Sequence, residues 1–279
     1  MDYAGLEGKV AIVTGGTGGI GEAIVDRLIR SGSKVVIVGT NEERAQQLAA
    51  KYRERAIGVG ADVSTEAGVA SYMEAAITVF GSADLHVLNA GIAGTPAQLI
   101  ADASVEEWDQ VMGVNVRGPF LGIRAALRHY ATAGVTGSIV VMASIASLRG
   151  AADLLAYTAS KHAVAGLVEG AAVHAGPVGV RVNAVAPGLI PTPLFGEAGM
   201  ENMRQRASTS PLRRAGDPDE IAAATAFLLS EDASYITGTL LSVDGGSSVQ
   251  NNCRYGGGAG LWDPAEIDAP LLKSFGRLD

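Results

Sequence analysis

Seven short runs rich in Val and Ile, separated by longer amphipathic stretches, constrain the fold of this chain more than any other feature. They lie at residues 9–14, 34–38, 56–60, 84–88, 138–142, 179–185 and 239–243. Within them apolar character is nearly continuous rather than alternating, which is the pattern of strands covered on both faces. Helical stretches between consecutive strands supply the right-handed crossovers that parallel neighbours need. A doubly wound α/β fold with a seven-stranded parallel sheet is therefore expected. Helices are predicted at about 19–31, 41–54, 65–80, 104–132, 155–175 and 217–230, with Asn41, Ser64, Ser104 and Asp217 as plausible caps. Two regions break the alternation: residues 189–210, carrying Pro191 and Pro193, and the chain after Val249. No linker-like composition intervenes, so residues 1–249 are expected to form one domain and 250–279 a C-terminal extension.

Composition narrows the partners. With 279 residues, 48% of them hydrophobic, the chain can bury one large core. A net charge of -8 disfavours a nucleic-acid partner, whose phosphates would be repelled overall. Cys253 is the only cysteine, so no internal disulfide forms and a reducing cytoplasm is the expected compartment. No basic segment followed by an apolar stretch opens the chain, and no run approaches about 18 uninterrupted apolar residues, so neither export nor a membrane is expected.

Thr14-Gly15-Gly16-Thr17-Gly18-Gly19-Ile20-Gly21 sits between the first strand and the first helix. Glycines at such a turn let the backbone approach a pyrophosphate, and the N–H groups of the helix start face its negative charge. A Rossmann-type dinucleotide site follows from that placement. Two glycine registers fit: Gly16, Gly18 and Gly21 satisfy G-x-G-x-x-G, whereas Gly15, Gly19 and Gly21 satisfy T-G-x-x-x-G-x-G. Further along, Tyr157 and Lys161 stand four residues apart and share a helix face. A free tyrosine loses its proton at about pH 10, and a nearby ammonium favours the phenolate, so the pair can serve as an acid/base.

With these motifs in order, the sequence resembles the short-chain dehydrogenase/reductase family over about residues 6–248, in its single-domain branch. Residues 14–21 look like that family's cofactor turn in the second register, which implicates Gly15, Thr17, Gly18, Gly19, Ile20 and Gly21. Asp62-Val63 resembles its adenine contact, Asn89-Ala90-Gly91 its strand-four motif, and Pro187-Gly188 with Ile190 and Thr192 its segment over the nicotinamide. Asn115, Ser144, Tyr157 and Lys161 match its catalytic tetrad. The resemblance implies that Tyr157 passes a proton to or from a substrate oxygen held by Ser144. It implies too that Lys161 favours the phenolate and binds the nicotinamide ribose, while Asn115 anchors a water linking the lysine to solvent. A homo-oligomer, dimer or tetramer, built on helices 104–132 and 155–175, is likewise implied.

Departures are informative. Leu88 replaces the first of two asparagines usual before Ala90-Gly91, leaving Asn89 to bond toward Thr14. At the end of strand two, Val38-Gly39-Thr40-Asn41 lacks the acid that grips the 2′-hydroxyl of NAD, and it equally lacks the arginine of many NADP-preferring members. Thr40, Asn41 and Arg44 tilt the expectation toward NADP over NAD. Pocket positions Ile145, Ala151, Leu154, Leu189, Leu194 and Phe195, beside Ser144 and Tyr157, carry no carboxylate-binding arginine, so a largely apolar, uncharged secondary alcohol or ketone is the expected small-molecule substrate. Related enzymes reducing 3-oxoacyl groups on acyl carrier protein are the alternative, disfavoured by Val178 where they often carry a basic residue; a non-catalytic dinucleotide-binding protein would not need all four tetrad residues. The four histidines show no spacing that suggests a metal. Trp108 is assigned to packing against a neighbour, and the tail, with Trp262, Leu271, Leu272 and Phe275 as apolar anchors, to docking on a pocket or a subunit surface.

Overall fold

Each of the seven apolar runs forms a strand: β1 Val10–Thr14, β2 Lys34–Gly39, β3 Ala56–Gly60, β4 Leu85–Leu88, β5 Ser138–Met142, β6 Arg181–Pro187 and β7 Leu240–Val243. The computed structural model describes residues 3–95, 100–150, 154–192, 196–208 and 210–249, together with 273 and 276. All neighbouring strands are parallel, in the order β3-β2-β1-β4-β5-β6-β7. Strand order reverses between β1 and β4, so chain segments leaving these two strands diverge and open a crevice at their C-terminal ends.

Helices α1 Gly19–Arg30 and α8 Pro218–Leu229 pack together against one sheet face, closing a core of residues such as Val13, Ile24, Val35, Ile37 and Ile221. On the other face lie α3 Glu66–Phe80, α5 Gly118–Ala133 and α6 Leu155–Ala175, which cover Ile12, Val36, Ile139 and Val182. This two-sided burial is why the strands read as unbroken apolar runs. Among the described residues, no helix is long and apolar enough to cross a membrane.

Several local expectations need correction. Helix α2 covers Glu42–Ala50 and stops there, followed by a 3₁₀ turn entered through Arg53 at φ 53°. Thr65, not Ser64, caps α3 by accepting the Gly68 N–H at 3.0 Å, while Ser64 bonds back to Asp62. β6 starts two residues later than its apolar run, because Gly179 sits in a left-handed turn. The helix expected over 104–132 is interrupted: α4 Val105–Met112 passes into a π-helical turn at Gly113–Arg117 before α5 begins. Residues 196–207 form a helix, α7, inside the stretch expected to be irregular. Its charged, weakly amphipathic sequence shows little periodicity, and the flanking prolines masked its good helix formers.

His86 lies on β4 with its ring buried edge-on against Tyr130, and neither ring nitrogen has a hydrogen-bond partner. Burial lowers its pKa from the ordinary value to about 4. The unfolded chain therefore takes up a proton at about pH 6.5 that the folded chain refuses until near pH 4. Stability should fall as the pH drops through that window, by up to about 3 kcal/mol in total. Urea unfolding of wild type and His86→Phe between pH 4 and 8 checks this. The stability difference between the two proteins should vary with pH below 6.5 and be flat above it; a pH-independent difference refutes the assignment.

Candidate active site

The β1–β4 register places Thr14 opposite Leu88, so the glycine turn and residues 89–91 leave the sheet side by side. Thr14 ties them together: its Oγ1 accepts the N–H groups of Asn89 and Ala90 at 2.9 and 3.1 Å. The Asn89 amide in turn donates to the carbonyls of Thr14 and Gly15 at 3.0 and 3.1 Å. The one asparagine of this motif thus bonds toward Thr14, with Leu88 buried beside it.

Space distinguishes the glycines of the turn from one another. Gly15 has φ +62°, and a Cβ there would stand 2.9 Å from both Ala90 Cα and Asn89 Nδ2. At Gly21 a Cβ would fall 2.0 Å from the Gly15 carbonyl oxygen. Gly18, by contrast, has only that oxygen nearby, at 3.5 Å. Gly15 and Gly21 thus exclude a side chain and Gly18 does not, while Gly16 is as crowded as Gly15, at 2.9 Å from both Ile37 Cγ2 and the Val13 carbonyl oxygen.

The turn fits a dinucleotide. Side chains close the first turns of α2, α3, α4 and α8, from Asn41, Thr65, Ser104 and Asp217. Helix α1 has no side-chain cap, so the N–H groups of its first turn, at Gly19, Ile20 and Gly21, are left to an incoming anion. Thr17 fills the space above the end of β2, where a Cβ at Gly39 would stand 2.9 Å from its Oγ1. Thr40 and Asp62 are exposed at the same sheet edge, and Val63 is buried against Gly118. Gly188 is pressed against Asp244, and Thr192 is buried. Ile190 directs its side chain into the core beside Gly216, leaving its backbone for any ligand. Leu189, Ile145 and Leu154, the substrate-pocket candidates among the described residues, are half-buried; Ala151, Leu194, Phe195 and, apart from residues 273 and 276, the extension 250–279 lie outside the described residues.

The four tetrad candidates converge from β5, the π turn and α6. Lys161 is buried and donates from Nζ to the Met142 carbonyl at 2.7 Å, placing the ammonium 5.5 Å from the centre of the Tyr157 ring. Burial pushes the Tyr157 phenol up, against a lowering contribution from the Ser144 hydroxyl, and pushes the Lys161 ammonium down to about 8. Tyr157 is therefore a protonated phenol at neutral pH. Ser144 follows β5 in extended backbone; its Oγ accepts the Ala146 N–H at 3.1 Å, and its hydroxyl hydrogen-bonds toward the Tyr157 phenol.

Asn115 is buried inside the π turn, whose extra residue swings its side chain toward β4's outgoing loop. Its Oδ1 accepts Ile92 N–H at 2.9 Å, and Nδ2 donates to Ile92 O at 2.8 Å and to Ser160 Oγ at 3.0 Å. Both amide N–H bonds are used, so any water held by this side chain bonds to the remaining lone pair of Oδ1. Ser160 completes the link by donating to the Tyr157 carbonyl at 2.7 Å. Sequence reasoning passed over Ser160, although its position one turn after Tyr157 was a usable signal. It also missed a small solvent-open cleft of about 30 Å³ whose described walls include Ala93, Gly94, Thr95, Ser104, Glu107 and Trp108, beside Leu154 and Leu155. These residues are scattered over a loop and α4 with no shared spacing. Trp108, assigned to packing, is 37% exposed and faces this cleft. Among the described residues no cluster of three or more potential metal ligands occurs.

Residues 15–248 match the family described as enoyl-(acyl carrier protein) reductase. The chain is 39% identical over 258 residues to momilactone A synthase of Oryza sativa subsp. japonica, covering 90% of this chain and 94% of that one. It is 40% identical over 241 residues to cis-4-hydroxycyclohexanecarboxylate dehydrogenase of Sinomonas cyclohexanicum, covering 85% and 96%. Among solved structures it resembles a 3-ketoacyl-(acyl-carrier-protein) reductase from Brucella melitensis complexed with NADH, with a TM-score of 0.81, 38% identity, and coverage of 87% and 99%. Likeness this extensive in sequence and backbone, over the same residues that carry the glycine turn and the tetrad, makes this protein a member of the short-chain dehydrogenase/reductase family.

Proposed function

We propose that this enzyme moves a hydride between a nicotinamide dinucleotide and a secondary alcohol or the corresponding ketone, with Tyr157 exchanging the proton at the substrate oxygen. One observation carries the assignment of roles: the Tyr157 phenol, the Ser144 hydroxyl bonded toward it and the Lys161 ammonium converge at the crevice beside an uncapped α1. The bound nicotinamide supplies or accepts the hydride. Ser144 donates a hydrogen bond to the substrate oxygen and fixes its orientation, and Tyr157, protonated at neutral pH, gives its proton as the oxygen gains charge. Lys161 has two N–H bonds beyond the one to Met142 with which to hold ribose hydroxyls, and its charge assists loss of the phenolic proton. Asn115 and Ser160 hold the turn of α6 that carries Tyr157 at a constant distance from the Ile92 loop.

The relatives include both a reductase of acyl-carrier-protein substrates and a dehydrogenase named for a carboxylate-bearing cyclohexanol, so the family does not decide substrate charge. The half-buried Ile145, Leu154 and Leu189 support an apolar, uncharged substrate. Both NAD and NADP should be accepted, with a preference for NADP below about tenfold: strand two ends without an acid and Arg44 is exposed nearby, but Asn41 is committed to capping Arg44 N–H, and Glu42 and Glu43 oppose a phosphate. A homo-oligomer is supported by Phe120 and Val173, which are 47% and 81% exposed on α5 and α6, and a cytoplasmic setting by the single cysteine.

Assaying a panel of ketones and secondary alcohols with each cofactor, by absorbance of the reduced nicotinamide, tests this function. Ketone reduction should be favoured near neutral pH, and alcohol oxidation should rise with pH as the buried phenol ionises. No net cofactor turnover with any substrate would refute it.

A further inference from the structure

We propose that Gly216, locked in place by the Arg214–Glu220 ion pair, is a positioning residue for the nicotinamide end of the cofactor: it sets where Leu189 and Ile190 stand beside the reactive centre. This role rests on the function proposed above and adds to it a control point at the entry to α8.

The β5–β6 register pairs Met142 with Val185, so Ser144 and Pro187 leave neighbouring strands side by side at the crevice end of the sheet. Segment 187–190 is then held from two directions. Gly188 donates its N–H to the Val243 carbonyl at 3.1 Å, and the Leu189 carbonyl accepts the Gly216 N–H at 3.0 Å. Ile190 is 5% exposed and turns its side chain into the core over Gly216, where a Cβ would stand 2.4 Å from its Cδ1. Gly216 is not in a left-handed conformation, so the seat of Ile190, rather than the backbone, calls for glycine there.

Gly216 is fixed in turn by its neighbours in the chain. Arg214 makes a bidentate pair with Glu220, Nη1 to Oε2 at 2.8 Å and Nη2 to Oε1 at 2.6 Å, and Nη1 also donates to the Ala215 carbonyl at 3.1 Å. The same Oε2 accepts the Asp217 N–H at 2.8 Å, which completes the capping box of α8. Arg214, Ala215 and Asp217, the residues around Gly216, are thus tied to one carboxylate or to its partner. The Arg214 hydrogen bonds and the Asp217 N–H hold the Glu220 carboxyl down at about 2, so the pair is fully charged near neutral pH. The fork geometry is the strong form of an ion pair. Both side chains are nevertheless exposed, 54% and 42%, so loss of the pair should loosen Gly216 without unfolding the chain.

ADP-ribose, which carries every part of NADH except the nicotinamide, isolates this effect. Kd for both ligands is measured by titration calorimetry on the full-length wild type, on Gly216→Ala, Arg214→Gln and Glu220→Gln, and on the double variant of the last two, with thermal unfolding as the check on folding. In Glu220→Gln the amide oxygen can still accept the Asp217 N–H, so α8 keeps its cap. NADH affinity should fall by about tenfold in Gly216→Ala, where Ile190 must move, and by about threefold in each single ion-pair variant, with the double variant no weaker than either single. ADP-ribose affinity should stay within about twofold of wild type throughout. Equal losses for both ligands would make the effect a general structural one, and NADH affinity unchanged in Gly216→Ala and Glu220→Gln would show that the segment is held without them; either result overturns the proposal. So does a wild type that binds NADH no more tightly than ADP-ribose, since segment 187–190 then offers the ring no seat. Failure of the hydride-transfer function shows separately, as absence of ketone or alcohol turnover in a wild type that still prefers NADH.

Discussion

Tyr157→Phe is expected to lower kcat by about 10³-fold while changing cofactor affinity by less than about threefold. The substitution removes one hydroxyl and keeps the ring, so the Lys161 ammonium retains its place 5.5 Å over the ring and its bond to Met142 O. The side-chain hydrogen bond that acts on the lost oxygen comes from Ser144, not from the glycine turn. Without it, Ser144 is too weak an acid to replace the phenol, and the Lys161 ammonium is anchored at Met142 O, 5.5 Å from the ring centre rather than at the place of the lost oxygen. Steady-state kinetics checks the rate, reduced-cofactor fluorescence the affinity, and circular dichroism the fold. A variant within tenfold of wild type would remove Tyr157 from the proton transfer. A variant that fails to bind cofactor would instead show that the hydroxyl has a structural role.

Gly21→Ala should be the most damaging single methyl in the cofactor turn. Its Cβ would meet the Gly15 carbonyl oxygen at 2.0 Å, the Gly15 carbonyl carbon at 2.8 Å and Gly16 Cα at 2.9 Å, all backbone atoms. No side chain can rotate away, and Gly15 is held by the Asn89 amide from the other side. The turn must open, at a cost of about 1–3 kcal/mol in stability, and the first-turn N–H groups of α1 move with it. Cofactor affinity should drop by at least about tenfold, as roughly 1.4 kcal/mol of the displaced geometry suffices for that. Gly18→Ala is the matched control: its Cβ has ordinary contact with one oxygen at 3.5 Å, and its φ of -93° suits any residue. Thermal unfolding and cofactor titration of the pair should therefore diverge. Equal behaviour of the two variants would mean that the crowding at Gly21 is relieved by some shift of the turn without consequence.

Much of this was legible before any coordinates. The strands were readable because a residue buried on either face of a parallel sheet must be apolar, so Ile12 and Val13, which face opposite cores, are both hydrophobic. The glycine turn was readable because a left-handed φ at Gly15 and the contact at Gly21 exclude other residues. The Tyr157/Lys161 pair was readable because helical spacing alone puts both on one face. Less was legible where local propensity was weak or misleading. α7 hid between prolines, and the π turn at Asn115 looked like plain helix because its cause is a bond to Ile92, on a different segment.

What the sequence determined by itself is thus the order of the elements, the dinucleotide turn and the identity of the candidate acid/base, all carried by residues adjacent in the chain or one helical turn apart. Tertiary structure alone decided which glycines of the turn are crowded, that Asn115 spends its amide on Ile92 and Ser160, that His86 is dry, and that Glu107 closes on Thr95 in a cleft beside Tyr157. The physical reason is common to all four. Free space, desolvation and the fate of a hydrogen-bond donor depend on atoms from distant segments, and no local pattern records how closely packing brings them together.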